Sequence, residues 1–466
     1  MTTPRAKCAF MASSTGQLPK GVSMNVSTLR GLCAATLLTG CATAQTPKPS
    51  GAVTCSIEPE RSILAANTPE SVVVKVALNG VTVAAKHRAS VNLAIVIDRS
   101  GSMSGQKIER AKEAAIAAVE RLNENDVVSV IVFDDSVNTI VPARRVTDKP
   151  AIASAIRAVR AGNSTAIFAG VSQAASEIRK HGDSGRVNRI LLLSDGQANV
   201  GPASPDELGR LGAALMKEGV SVSTVGLGLD YNEDLMTRLA AKSDGQTYFV
   251  ENSDDLPRIF ASELGDAFSV AARDVKLRVK FKNGATPVEI IGRDGRIERD
   301  TVTVDFNQLY GNHQKFVLIR TEFTPGEERE NREFAEAFVD YRTLDSSTVQ
   351  KVTTKSTVSF SRDIKAVDAS VNKKVVKETV LNYNAIDTEK AILLNDARDF
   401  TGAKATNLGN VSRAREAAVR YNIAELEEEA VRQEAITRDI VAPLRPTARK
   451  AFYTEGVQLR SQQAAD

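Results

Sequence analysis

Five short apolar-rich runs of strand length punctuate the middle of the chain, at residues 91–97, 127–133, 189–193, 220–227 and 247–250. Runs this short, apolar at successive positions and not only at alternate ones, suit strands covered on both faces. Helical sequence separates them. In the stretch 107–122, Ile108, Ala111, Ala115, Val119 and Leu122 fall on one stripe of a helix. Such β-α alternation predicts a doubly wound, mostly parallel α/β domain with right-handed crossovers.

The flanks follow a different period. Residues 53–86 alternate apolar and polar, with strand-like sequence at 71–78, a tight turn at Asn79-Gly80 and a further strand at 81–83. Residues 273–362 return to short alternating strands at 275–281, 288–291, 302–306, 315–323, 336–341 and 352–360, separated by Asn283-Gly284, Asp294-Gly295 and Pro325-Gly326. This is the pattern of an antiparallel sandwich. The strands before residue 90 are too few to close a sandwich alone. Residues 51–88 and 271–362 are therefore expected to build one sandwich, with the α/β domain 89–270 inserted between them. Residues 366–440 read as a helical domain, and 441–466 as a C-terminal tail, polar and frayed from 455.

Composition narrows the function classes. A chain of 466 residues exceeds one ordinary core, and 42% hydrophobic with 25% charged residues excludes general disorder. Lys and Arg number 60 against 57 Asp and Glu, which gives no electrostatic reason to expect nucleic acid as a partner. The three histidines (His87, His181, His313) are far apart, which argues against a His-rich zinc site and a Ser-His-Asp triad.

The first fifty residues read as an address. Arg30 flanks a short apolar run from Leu32 to Leu38, the length of a signal-peptide core and too short to span a membrane. Residues 1–40 are expected to be a signal segment, with Met24 a better start than Met1, and 41–50 a linker. Leu38-Thr39-Gly40-Cys41 resembles the lipobox of bacterial lipoproteins, in which Cys41 would be lipidated as the first mature residue. The alternative is a cleavable secretory signal ending Ala42-Thr43-Ala44. The lipobox reading removes Cys8 and Cys33 and leaves Cys41 and Cys55.

Chemistry concentrates where the first apolar run ends. Asp98-Arg99-Ser100-Gly101-Ser102 sets one carboxylate and two hydroxyls on a tight loop. In a doubly wound sheet, ligands bind at the carboxyl ends of strands. Ala161-Gly162-Asn163-Ser164-Thr165-Ala166 and Leu193-Ser194-Asp195-Gly196 belong to the same edge. Asp98 and Ser100 would equally serve as an N-cap for the helix at 107, and Asp195-Gly196 as a plain turn. Neither reading accounts for the three segments together.

Together these segments resemble the von Willebrand factor type A domain family over roughly residues 89–270. The resemblance implies a metal-ion-dependent adhesion site in which Ser100 and Ser102 ligate directly, Thr165 is the second-loop ligand, and Asp98 and Asp195 are carboxylates of the inner or outer shell. Oxygen donors of this kind favour Mg²⁺ or Mn²⁺, with Ca²⁺ a further candidate. The expected function is non-enzymatic, cation-dependent binding of a protein partner that supplies an acidic residue. The expected setting is the bacterial cell envelope, lipid-anchored at the outer membrane or periplasmic face, or else secreted. The arrangement also resembles bacterial lipoproteins in which such a domain interrupts a sandwich, and the heavy chains of inter-alpha-trypsin inhibitors. Two alternatives remain: a metal-dependent hydrolase, against which Ser100 stands where a second catalytic aspartate would be needed, and a structural envelope protein with a vestigial metal site.

Overall fold

The computed structural model describes residues 51–81, 88–162, 164–182, 185–196, 200–440 and 442–465. The expected signal segment, the linker and Cys41 lie outside the described residues, as does most of the expected strand 81–83. The chain opens with three strands, β1 (Val53–Pro59), β2 (Ile63–Ala65) and β3 (Glu70–Gly80). An α/β unit follows: β4 (Val91–Asp98), α1 (Gln106–Arg121), β5 (Val127–Phe133), β6 (Val137–Arg145), α2 (Lys149–Arg157), α3 (Ile167–Arg179), β7 (Val187–Ser194), α4 (Pro205–Lys217), β8 (Val220–Leu227), α5 (Glu233–Lys242), β9 (Thr247–Val250) and α6 (Leu256–Phe268). Next come β10 (Val270–Phe281), β11 (Ala285–Ile291), β12 (Arg296–Glu298), β13 (Thr301–Tyr310), β14 (His313–Phe323), β15 (Asn331–Arg342) and β16 (Gln350–Ser361). The chain closes with α7 (Ile364–Ala369), α8 (Lys373–Asp396), α9 (Phe400–Tyr421), α10 (Ala424–Asp439), α11 (Pro446–Arg460) and β17 (Gln463–Ala465).

The central sheet runs β6-β5-β4-β7-β8-β9, parallel except for the antiparallel edge strand β6. Every residue of β4, β5, β7 and β8 is buried, the polar Asn92, Ser129, Arg189, Ser221, Ser223 and Thr224 included. One face packs on α1 and α6 through residues such as Ile95, Ala115 and Phe260. The other packs on α3, α4 and α5 through Val96, Val171 and Leu239. The strand order turns back at β4: the chain leaves it first for β5 and later for β7 on its other side. That makes the crevice between β4 and β7 the topological switch point, where open α/β sheets place their ligands.

Two further sheets share one core, containing Val74, Val76, Phe281, Val304 and Phe334. One runs β1-β3-β14-β11 with β17 beside β14, and the other β12-β13-β10-β15-β16-β2. Strands from both sides of the α/β unit thus pair with each other, β3 with β14 and β2 with β16. The unit is fastened to these sheets by buried charge. Arg189 of β7 bonds Glu263 of α6 at 2.8 Å and reaches Gln308 (2.9 Å) and Tyr310 (2.6 Å) on β13. Asp244, just past α5, accepts from the Lys315 ammonium at 2.7 Å and the Asn307 amide at 2.9 Å, with Arg293 at 3.4 Å.

Two expectations need correction. No turn forms at Asn79-Gly80: β3 runs through both, with Asn79 opposite Thr54 and Gln314. Gly80 is needed for a different reason, since a Cβ there would lie 2.0 Å from the Tyr310 carbonyl oxygen. The C-terminal tail 441–466 is not frayed from residue 455. Its Pro446 starts α11, whose Lys450 donates to the Tyr231 carbonyl at 2.6 Å and pairs with Glu233, and residues 463–465 add a strand to β14. The edge strand β6 and helix α2 had no counterpart in the sequence reading. The helical region packs α8 on the first sheet through Val375 against Val73, Phe316 and Leu318. Between α8, α9 and α10 lies a polar seam in which Asn407 donates to Thr437 and Asn384 to Glu429, each at 2.8 Å.

Burial by itself would raise the Asp244 carboxyl, but Lys315 and Arg293 outweigh it and hold the group below the usual carboxylate range. A depressed carboxylate contributes stability in full above its unfolded pKa of about 4 and loses it as pH falls below that. Asp244→Asn should therefore cost about 3–5 kcal/mol at pH 7, because it leaves two buried cations uncompensated. In urea denaturation the gap to wild type should narrow as pH drops through 4 to 3; a gap independent of pH would contradict the assignment.

Candidate metal centre

Three loops meet at the switch point. The first leaves β4 at Asp98 and turns through Gly101–Met103, where Met103 drops into the core at 0% exposure and anchors the turn. The Arg99 amide donates to the Phe133 carbonyl at 2.8 Å, laying this loop over the end of β5. The second loop is tied to the first by Gly162 N–H donating to the Arg99 carbonyl at 2.5 Å. A Cβ at residue 162 would lie 2.2 Å from an Asp134 carboxylate oxygen, so a larger residue there would push that carboxylate aside. The third loop is tied to the second by Val200 N–H donating to the Thr165 carbonyl at 3.3 Å. Backbone bonds thus fix the mutual positions of the three loops.

The five side chains lie close together at this edge. Asp98 and Asp195 are both 0% exposed, Ser100 and Thr165 are buried, and Ser102 stays exposed. Asp98 accepts from the Ser100 amide at 2.8 Å with one oxygen and from the Ser194 hydroxyl at 2.5 Å with the other. The Ser100 and Ser102 hydroxyls lie 3.1 Å apart, and Ser102 donates to Asp195 at 2.8 Å. The second Asp195 oxygen pairs with the Lys107 ammonium. Thr165 closes the cluster. A Cβ at Gly196 would fall 2.8 Å from its hydroxyl oxygen and 3.4 Å from Asp98 Oδ2. Burial pushes the Asp98 carboxyl up to about 6; the hydrogen bonds from Ser194 and Ser100 oppose this, while the charge of Asp195 adds to it.

Neither Asp98 nor Ser100 caps α1. Its N-cap is Gly105, at φ 77°, and no side chain caps it. The plain-turn reading of Asp195-Gly196 fares no better, because Asp195 is buried and bonded to the first loop. Three contributors were absent from the sequence-based set. Ser194 was visible beside Asp195 but had no assigned role. Asp134, at the end of β5, holds Arg99 at 3.0 Å and Ser136 at 2.8 Å behind the loops. Lys107 carried no signal beyond its place in the first turn of α1. Asn163, of the second segment, lies outside the described residues.

The donor set is two buried carboxylates and three hydroxyls, with no nitrogen or sulfur. Among the described residues no three His, Cys, Asp or Glu side chains cluster as a metal site would need. A cation held here would therefore depend on the hydroxyls as well as on the two carboxylates. Hard oxygen donors with limited negative charge fit a hard dication such as Mg²⁺ or Mn²⁺. The residues present thus fit such an ion.

The match to known proteins coincides with this edge. Residues 92–262 match the family model of the von Willebrand factor type A domain. The chain carries a von Willebrand factor type A domain. Among curated relatives, an uncharacterized protein of Synechocystis sp. is 35% identical over 173 residues, which is 37% of this chain and 40% of that protein. The human inter-alpha-trypsin inhibitor heavy chain H4 is 28% identical over 206 residues, covering 42% of this chain and 22% of the relative. The chain thus spans less than half the length of these relatives. Two solved structures share the fold over most of the chain. A von Willebrand factor type A protein from Catenulispora acidiphila gives a TM-score of 0.65 at 18% identity, covering 81% of this chain and 88% of that one. The ArnB paralog VWA2 from Sulfolobus acidocaldarius gives 0.59 at 18%, covering 88% and 98%. Both likenesses extend well beyond the von Willebrand factor A domain itself.

Gly196→Ala should force the Thr165 hydroxyl to rotate away from the cluster. The expected cost is about 1–3 kcal/mol of overpacking, read by urea denaturation. An unchanged midpoint would mean that the third loop has room the geometry denies it.

Proposed function

We propose that the domain binds a divalent cation, Mg²⁺ or Mn²⁺, at Ser100, Ser102 and Thr165, with Asp98 and Asp195 supplying the balancing charge, and that through it the chain holds a protein partner. The observation that carries this reading is the convergence of all five side chains on one loop cluster at the switch point. Two carboxylates against a dication leave neutral hydroxyls to complete the protein's share of the shell. An ion held this way keeps Lewis acidity toward an incoming carboxylate, so an acidic residue of a partner is the natural last ligand. Ser102 at the solvent-facing rim leaves that approach open. Beside the rim, a groove of about 600 Å³ lined by Gly105, Ile108, Arg110, Val159 and Arg160 offers room for the partner's adjoining residues.

The role is binding without catalysis. None of the hydrogen bonds at the cluster involves a histidine, and Ser100 stands where a second acid would be needed for hydrolysis. We read the two shared-core sheets as a sandwich that the von Willebrand factor A domain interrupts, since strands from both sides of the domain pair in each. The lipobox-like Leu38-Thr39-Gly40-Cys41 supports attachment to the bacterial envelope through lipid on Cys41.

Calorimetric titration with Mg²⁺ and Mn²⁺ should show one site per chain, weakened tenfold or more by Asp195→Asn and by the pair Ser100→Ala, Ser102→Ala. Capture of partners from envelope extract should be lost on addition of a chelator. Absence of metal-dependent heat in the wild-type protein would overturn the reading. Chelator-insensitive capture would separate partner binding from the ion.

A further inference from the structure

Lys107 sits in an unexpected place. It is the second residue of α1, and a cation in a helix's first turn faces the positive end of the helix dipole. Its presence there does nothing for the helix. Instead its ammonium crosses to the third loop and pairs with Asp195 Oδ2, while Ser102 occupies Asp195 Oδ1. The ammonium passes beside Gly228, just past β8, where a Cβ would stand in ordinary contact with it at 3.5 Å. Among the described residues no other cation is paired with Asp98 or Asp195. Asp195 is fully buried, whereas the Lys107 side chain is 30% exposed and has a path back to solvent.

The ammonium thus holds one of the carboxylates that a dication would need. With both present, the ion and the ammonium would repel at short range inside a partly desolvated cluster. We propose that Lys107 is a built-in counter-ion that closes the metal-free site and competes with the divalent cation for Asp195, so that it sets how much metal the site requires before it opens to a partner. The inference rests on the metal reading above. It assigns to this one lysine the tuning of that site, which none of the five ligand candidates performs.

The test compares wild type with Lys107→Met, which keeps the length of the stem and removes the charge, and with Lys107→Gln and Lys107→Arg. Each is titrated with Mn²⁺ by calorimetry and melted in excess chelator. Competition predicts that both neutral variants bind Mn²⁺ at least tenfold more tightly and melt at a lower temperature without metal, while Lys107→Arg stays close to wild type in both. A purely structural lysine predicts the lower melting temperature with affinity unchanged or weaker, and that result would overturn the proposal. Metal binding in all four proteins with equal affinity would overturn it too, leaving the metal site standing. No binding in any of them would remove the metal reading and this inference with it.

Discussion

Two carboxylates buried side by side at the ends of adjacent parallel strands are the constraint on which the functional edge depends. Asp98 ends β4, Asp195 follows β7 directly, and neither touches solvent. Burying one unpaired carboxylate is costly, and two in one crevice add mutual repulsion. The chain meets the cost locally, with the Ser194 and Ser102 hydroxyls, the Ser100 amide and the Lys107 ammonium. What remains unsatisfied shows in the raised Asp98 carboxyl. The glycines at 162 and 196, the Met103 anchor and the backbone bonds between loops all keep these groups from drifting apart.

The rest of the molecule works as a base for that edge. Arg189, near the start of β7, is held by Glu263, Gln308 and Tyr310, so the strand that delivers Asp195 is clamped at its opposite end. Asp244 does the same for the end of α5, and Lys450 of α11 grips Tyr231 and Glu233 at its beginning. These buried charge contacts join the von Willebrand factor A domain to both neighbours, and none of them involves the loops at the carboxyl ends of β4 and β7. A rigid scaffold with its ligating groups on loops is the usual division of labour in binding proteins.

The α/β unit was legible because its strands are short apolar-rich runs set between amphipathic helices. Residues 127–133, 220–227 and 247–250 match β5, β8 and β9 residue for residue, and β4 and β7 differ only at their ends. The five candidate side chains were equally legible, since each follows a strand or precedes a helix in a recognisable segment. What escaped depended on partners distant in sequence. Asn79-Gly80 has the local chemistry of a turn, but pairing with β1 and β14 carries the strand through it. The polar sequence after residue 455 looked unanchored because its partners, Thr247 for Gln458 and β14 for 463–465, are more than a hundred residues away. The edge strand β6 lacks the apolar run of its neighbours, with Val141 its one buried residue. Lys107 was hidden for the same reason: a lysine in a helix is ordinary until its ammonium is seen on Asp195.

The central claim is that a divalent cation sits among these loops. The most direct measurement is anomalous diffraction from crystals of the protein soaked in Mn²⁺. The account predicts one strong peak bounded by Ser100, Ser102 and Thr165, with the Lys107 ammonium displaced from Asp195. A saturating soak that leaves this edge without a peak, and Lys107 still on Asp195, would contradict it.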